Sequence, residues 1–436
     1  MQKNDKTTRI AYVIEAGFEY FISLFVTSTF LGYILDALGF SDAMQGIIST
    51  VATFTLGAQL FALFLTDRQV KRLVTLGHLI NQLCFVLLYV LPIFDIPSGL
   101  KTVLLLVLLF AGHIINNAIN PAKITWLMTS VPDCKRGSFT AVKEMVSLAG
   151  GMIVSVGFGA VADIYRDASG APTTAYYRIC CAALLIMTVI HTVTLIVSNE
   201  KPVPRRERAP VGQVARRIFG NGDLLKVMLV GVIWNVASGL SVSFHASYLR
   251  EELAFSFTVI TLITTAGSLC RILASPLVGR LSDKKSFSFS MIVCLSVVAA
   301  GFVAVCFTTP ESRWLYIVYA CLHAIAMAGI NSGSINLIFD YVSPEDRSVT
   351  LGIKNALGGT MGFLAALLSG WLLGGIQDMG GLRVLGVTLY AQQVLSALSF
   401  LVTCALIAYM YFVVRPLRRV TETAVEEMST GAESVK

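Results

Sequence analysis

Charge is scarce in this sequence. Of 436 residues, only 14 % are Asp, Glu, Lys or Arg, against about a quarter in an average soluble domain. So few ionic side chains cannot cover the surface of a soluble chain this long, which excludes a string of about three water-soluble domains. Paired cysteine spacing is also missing. The nine cysteines are scattered through apolar runs with no CxxC pair, which argues against a metal knuckle and makes them small buried apolar residues. No Walker loop is present, so direct ATP drive is not expected. No HExxH, GxSxG or clustered Cys/His set occurs either, so neither catalysis, nor a cofactor, nor a bound metal is expected. Asn-x-Ser/Thr sequons and lipidation motifs are absent, and the first apolar run, from Ile10, is too long for a cleavable signal.

What is abundant is hydrocarbon: 55 % of the residues are apolar. A membrane helix needs about 20 mostly apolar residues. Twelve segments qualify, at about 10–35, 43–65, 73–93, 100–130, 138–162, 176–198, 223–249, 256–280, 287–308, 314–340, 348–375 and 387–414. The predicted fold is an all-α membrane protein. Its polar 199–222 stretch links a first half, 1–198, to a second, 223–414, followed by a polar tail, 415–436. Within that stretch, Val211–Phe219 has the pattern of a short amphipathic surface helix.

Counting Lys and Arg by loop orients the chain. With the N-terminus inside, twenty-three of the 33 fall in inner loops and tails, six in outer loops, and four inside helices. That is a positive-inside pattern, which predicts a plasma or inner membrane protein with both termini cytoplasmic. The net charge of +7 then reflects topology and the anionic inner leaflet, and no nucleic-acid partner is expected.

An internal repeat underlies the division into halves. Residues 120–151 overlay 331–362 at a constant offset, matching Asn120 with Asn331, Arg136 with Arg347, Lys143 with Lys354 and Gly151 with Gly362. A second echo pairs Thr66-Asp67-Arg68 with Ser282-Asp283-Lys284. Gly279-Arg-Leu-Ser-Asp283-Lys284-Lys285 resembles the loop motif of the major facilitator superfamily. The copy around Asp67 and Arg68 has Leu63 in place of its glycine, and Val131-Pro132 to Arg136-Gly137 resembles that family's loop into the fifth helix. The resemblance spans about 10–414. It implies two pseudo-symmetric six-helix bundles with a substrate cavity between them, and alternating access by rocking of the halves. It also implies a gating role for Asp67, Arg68, Arg136, Gly279, Asp283, Lys284 and Arg347, for which capping of charged turns is the alternative.

Ionisable side chains in hydrocarbon cost at least about 2.5–3.5 kcal/mol each and demand a partner or a cavity. Glu15 and Glu19 share one face of the first helix, as a proton-coupling pair must, or else pair structurally with Lys123 or Lys143. Arg271 lies about 18 Å of helix from Asp283, near mid-membrane. Its guanidinium suits capture of a carboxylate or phosphate, and an ion pair with a first-helix Glu is the other reading. Lys143 and Lys354, equivalent by the repeat, read equally as substrate contacts and as clasps between the halves.

Helix four carries His113, Asn117 and Asn120 on one stripe, interrupted by Pro121. Helix seven carries Trp234, Asn235, Ser238 and His245, and helix ten Asn331. Such stripes line cavities or hold helices together. The four buried cations against the acids Glu15, Glu19 and Glu144 tilt the expected solute towards an organic anion moved by a secondary, proton-driven transporter. A proton-coupled sugar-like solute symporter and a drug/proton efflux antiporter are the alternatives within transport. A membrane sensor or membrane-embedded enzyme would need an output domain or a catalytic cluster that the sequence does not offer.

Overall fold

The computed structural model describes residues 2–63, 70–131, 136–167, 171–200, 211–342, 347–384 and 387–417. Eleven helical stretches among them are long and apolar enough to cross a membrane. The twelfth segment is broken and runs as α3 (Asp42–Ser49), α4 (Val51–Phe54) and a 3-10 stretch, Thr55–Leu63. The first half is completed by α1 (Gln2–Phe25), α2 (Ser28–Ala37), α5 (Val70–Val90), α6 (Ser98–Met128), α7 (Arg136–Ile164) and α8 (Thr174–Val197). A short α9 (Val211–Gly220) carries Arg216 and Arg217 and falls where the sequence predicts a surface helix. The second half holds α10 (Gly222–Ser241), a 3-10 turn (Val242–Phe244), α11 (His245–Ser247) and a π turn (Tyr248–Glu252). It continues through α12 (Phe257–Lys284), α13 (Phe287–Cys306), α14 (Leu315–Phe339), α15 (Arg347–Asp378) and α16 (Ala391–Tyr409). A small antiparallel hairpin, β1 (Leu382–Val384) with β2 (Val387–Leu389), precedes α16.

Local chemistry sets several helix starts. Asn221 accepts from Leu224 N (3.1 Å) and Ser286 from Phe289 N (3.1 Å), each satisfying an orphan donor of the first turn. Pro121 lies inside α6 without ending it, as membrane helices tolerate when neighbours re-satisfy the freed carbonyl. Large apolar side chains remain outward on many helices, with Trp371 74 % and Ile153 76 % exposed, a surface that suits lipid and not water.

Each half has its own apolar core, one around Phe25, Tyr89, Leu109 and Tyr176, the other around Met228, Leu295, Phe302 and Ile330. The first helix of each half is interrupted in a matching place: α1 stops at Phe25 before α2 begins at Ser28, and α10 gives way to the 3-10 turn at Val242. Both breaks lie roughly two to three turns from the end of their segment. Neither has a proline or glycine at the break itself.

Candidate functional site between the two halves

The end of the molecule bearing the basic loops is called here the basic face. In its half of the membrane, four helices of the first bundle bring ionisable groups to one level. Glu15 on α1 stands 2.8 Å from the Lys123 Nζ of α6, and Glu19, one turn further along α1, accepts a hydrogen bond from the same ammonium. His191 of α8 places Nε2 3.1 Å from Glu15 Oε1. His78 of α5 lies beside it, the ring centroids 5.2 Å apart. Glu15, Lys123, His78 and His191 are all buried, whereas Glu19 keeps 26 % of its side chain exposed. Glu15 Oε2, His191 Nδ1 and both ring nitrogens of His78 have no hydrogen-bond partner.

Between this cluster and the basic face lies an apolar plug of Tyr12, Val74, Trp126, Leu127 and Leu195, 0–2 % exposed. Trp126 Nε1 donates to Asn199 O (2.9 Å), tying the plug to the end of α8. Lys143 of α7 lies over the Tyr12 ring, 4.9 Å from its centroid, so it stacks within its own half. Of the two cations that the sequence offers as partners for Glu15 and Glu19, geometry selects Lys123.

The halves are sealed at the opposite face. Arg250, next to α11, has Nε 3.1 Å from Asp36 Oδ2 and donates through Nη2 to Gln45 Oε1 (2.6 Å). Gln45 Nε2 in turn donates to Asp36 Oδ1 (2.5 Å), closing a triangle across the two halves. Asp163, at the end of α7, accepts from the free backbone N–H of Phe257 (3.2 Å) and Thr258 (2.8 Å) at the start of α12, a capping role supplied from the other half. Arg166 holds that carboxylate at 2.6 Å and donates to Tyr33. Gln377 Nε2 donates to Asp42 (3.1 Å), and Ser49 donates to Ser243 O (3.1 Å), a carbonyl of the 3-10 turn. Gly46 lets the buried Phe244 ring lie against α3, where a β-carbon would collide with it.

Towards the middle, the Phe54 and Phe363 rings pack 4.9 Å apart, and Gly359 of α15 meets the backbone carbonyl of Thr53. Among the described residues, the inter-half hydrogen bond nearest the basic face is Asn355 Nδ2 to Gln59 Oε1 (3.0 Å). Beyond it the helices present polar and small groups outward: Ser275, Gly279 and Arg280 on α12, Asn331 and Ser332 on α14 and Glu144 on α7 are exposed. Among the described residues, the hydrogen bonds and ion pairs that join the halves gather at the end opposite the basic face.

Removing the Arg250 guanidinium breaks two charge-assisted contacts at the clasped end, worth about 1.5–3 kcal/mol each. Arg250→Ala should therefore raise labelling of a cysteine placed at Ala43, on the covered side of α3, by an impermeant maleimide. Labelling at the wild-type level would show that the triangle does not hold the seal.

Arg271 is half-buried on α12. Among the described residues no carboxylate pairs with it. Lys354 is 8 % exposed, its stem lying across Gly231 of α10, again with no acidic partner among the described residues. His113 stacks on Phe85 (5.1 Å) and Asn117 donates to Thr55 (3.1 Å), so this pair ties α6 to its neighbours, while Asn120 on the same stripe is half-buried. Trp234 belongs to the second core. Asn235 donates to Gly231 O (2.7 Å) and packs on Gly358 and Gly362, and Ser238 is half-buried. His245 is buried between Tyr316 and Tyr319, bonded to Ser241 (3.0 Å). Arg347 donates to Phe339 O (3.4 Å) and lies over that ring. Gly279 and Lys284 are exposed at the basic end of α12. Asp67 and Arg68 lie outside the described residues, as do the side chains of Arg136 and Asp283.

Sequence reasoning did not single out His78, His191, Asp163 or Gln45. The two histidines carried a usable signal, because each is an ionisable ring inside an apolar run. A hollow of about 590 Å3 between Ala37, Leu38 and Asp95–Lys101 is formed by first-half residues alone at the opposite face, away from these groups.

No curated protein sequence matches the chain. Solved structures similar to it include a point variant of the nucleoside transporter NupG (TM-score 0.70, 13 % identity, 93 % of this chain and 99 % of that one). A bacterial homologue of the human lysosomal transporter Spinster, inward-facing and occupied, gives 0.63 at 12 % identity over 95 % and 96 % of the two chains. A bacterial homologue of the iron transporter ferroportin, outward-facing, gives 0.61 at 15 % over 93 % and 98 %. At such identities these are likenesses of fold. The family profile described as Major Facilitator Superfamily matches residues 16–248 and 227–435, so that with its twelve segments in two six-helix halves the chain belongs to the Major Facilitator Superfamily.

Proposed function

We propose that the chain is a proton-coupled secondary transporter of a small organic anion, working by alternating access in a cell membrane with both termini cytoplasmic. In that orientation the sealed face is external and the conformation described is inward-facing. One observation supports the anion reading above the others: acids and cations are segregated. Lys123 is taken by Glu15 and Glu19 inside the first half, which leaves Arg271 and Lys354 of the second half without carboxylates among the described residues. A lone guanidinium at mid-membrane is satisfied by a carboxylate or phosphate on the solute. Glu19, paired yet open, is the coupling group nearest the solute.

A neutral nucleoside- or sugar-like solute is the second reading, favoured by Tyr20, His323 and the exposed Asn331, whose rings and amide suit a polar ring. Purified protein in liposomes separates the two. Uptake of labelled succinate and of labelled uridine is measured with and without an imposed pH gradient. On the anion reading, succinate accumulates, Arg271→Gln weakens its apparent affinity at least tenfold, and Glu19→Gln keeps counterflow but loses gradient-driven accumulation. Uridine uptake indifferent to Arg271→Gln selects the second reading. Gradient-driven accumulation that survives with both acids changed to Gln refutes proton coupling through them.

A further inference from the structure

The cluster around Lys123 does not balance as an ion pair. Two carboxylates face one ammonium, so with Glu15 and Glu19 ionised the group carries one uncompensated negative charge inside an apolar bundle. Burial penalises such a charge heavily. Among the described residues, the ionisable groups around His191 are few: Tyr12, Glu15 and Glu19 from α1, His78 from α5 and Lys123 from α6, with Lys143 of α7 one layer away over Tyr12. Of these, only the histidines can add a positive charge near neutral pH. His191 is the one bonded to the acid.

Deepening the coupling proposed above, and resting on it, we infer that His191 stores the coupled proton, held between its Nε2 and Glu15 Oε1, and that Glu19 is the port through which the proton enters and leaves. The loaded cluster, with Glu15 and Glu19 ionised and Lys123 and His191 charged, is neutral. Loss of one proton leaves it at minus one. A second proton on His78 is opposed by the first, because the two rings lie side by side. The store therefore holds one proton.

The route follows from burial. Towards the basic face the plug of Tyr12, Val74, Trp126, Leu127 and Leu195 closes the bundle, and of the cluster's members only Glu19 is more than 2 % exposed. A proton taken from water by the Glu19 carboxylate moves inward in two exchanges. The Lys123 ammonium gives one N–H proton to Glu15 and regains one from Glu19, so that Lys123 stays charged and Glu15 becomes the acid. Glu15 then passes its proton to His191 Nε2, leaving the Glu15 carboxylate and an imidazolium. No other bond is made or broken. As proposed, the exchange opens through the exposed Glu19 on the space between the halves. A neutral cluster beside that space accepts an anionic solute and a negative one repels it, so proton and anion travel together as a symport.

The protein has only five histidines, which makes a spectroscopic test direct. The full chain, labelled with 15N-histidine and held in nanodiscs, is titrated from pH 5 to 9 by NMR. His113→Gln, His245→Gln and His323→Gln, all remote from the cluster, and His78→Gln assign the spectrum and leave His191 by elimination. The expected result is one imidazole, His191, converting between neutral and charged forms within this range. In Glu15→Gln that conversion should move to lower pH by at least one unit. A His191 that stays neutral throughout, or titrates unchanged in Glu15→Gln, overturns the store. Proton flux accompanying succinate, read with a pH dye sealed in proteoliposomes, is measured alongside. If Glu19→Gln abolishes that flux while His191 does not titrate, the store fails and coupling through Glu19 stands. If Glu19→Gln leaves the flux intact, coupling through Glu19 fails and the port with it.

Discussion

Replacing Lys123 with Met should destabilise the chain by about 3–5 kcal/mol, the usual result of stranding a buried charge by removing its partner. Here two partners are stranded at once. Glu15 is 1 % exposed and loses its ammonium, keeping only the His191 contact. The size of the loss has a diagnostic counterpart. Lys123→Met combined with Glu15→Gln and Glu19→Gln removes all three charges together, and it should recover most of the stability, because an apolar or neutral replacement of a whole buried ion group is close to neutral. Thermal unfolding in detergent, followed by the fluorescence of buried cysteines reacting with a thiol dye, reads both. A Lys123→Met protein as stable as the wild type would mean that the trio is not the electrostatic keystone of the first half.

Gly359→Val should cut transport at least tenfold without unfolding the protein. A β-carbon at Gly359 meets the Thr53 carbonyl and the Phe54 backbone of the other half, and backbone cannot step aside as a flexible side chain does. Overpacking of this kind costs about 1–3 kcal/mol, and because the contact is between halves the strain falls on the closed arrangement alone. Parting the halves at the opposite face relieves it. The variant should therefore show raised maleimide labelling of a cysteine at Ala43 together with a normal melting temperature and slowed uptake. Normal labelling with unfolded protein would place the effect in folding instead of gating.

The architecture was readable because hydrocarbon imposes crude rules. Runs of about 20 apolar residues and the bias of Lys and Arg to one side locate segments without any knowledge of packing. The Asn120–Asn331 and Lys143–Lys354 matches likewise expose the two-fold plan, since a repeat is a property of the chain alone. Glu15 and Glu19 stood out as acids in oil, and Lys123 was one of two possible partners. Spacing could not choose between Lys123 and Lys143, because the choice depends on which face of α6 and of α7 turns towards α1. The polar stripes met the same limit. Periodicity puts Trp234, Ser238 and His245 on one face of a straight helix, but the helix changes to a 3-10 turn at Val242 and seats His245 between Tyr316 and Tyr319. No proline or glycine at either break announced it. The opposite-face clasp was hidden for another reason: Asp163 and Arg250 look like ordinary loop-end charges until the second half is folded against the first.

The ion trio also constrains how the protein is made. Lys123 follows Glu19 by 104 residues, so α1, α2, α3, α4 and α5 leave the ribosome before the ammonium that neutralises the two acids exists in the membrane. Until α6 arrives, α1 alone must shelter two carboxylates from lipid, each costing several kcal/mol in the core of a bilayer. The first helix therefore has reason to linger beside the insertion machinery or near the headgroups until the fourth joins it. Biogenesis of this half becomes a wait for one lysine.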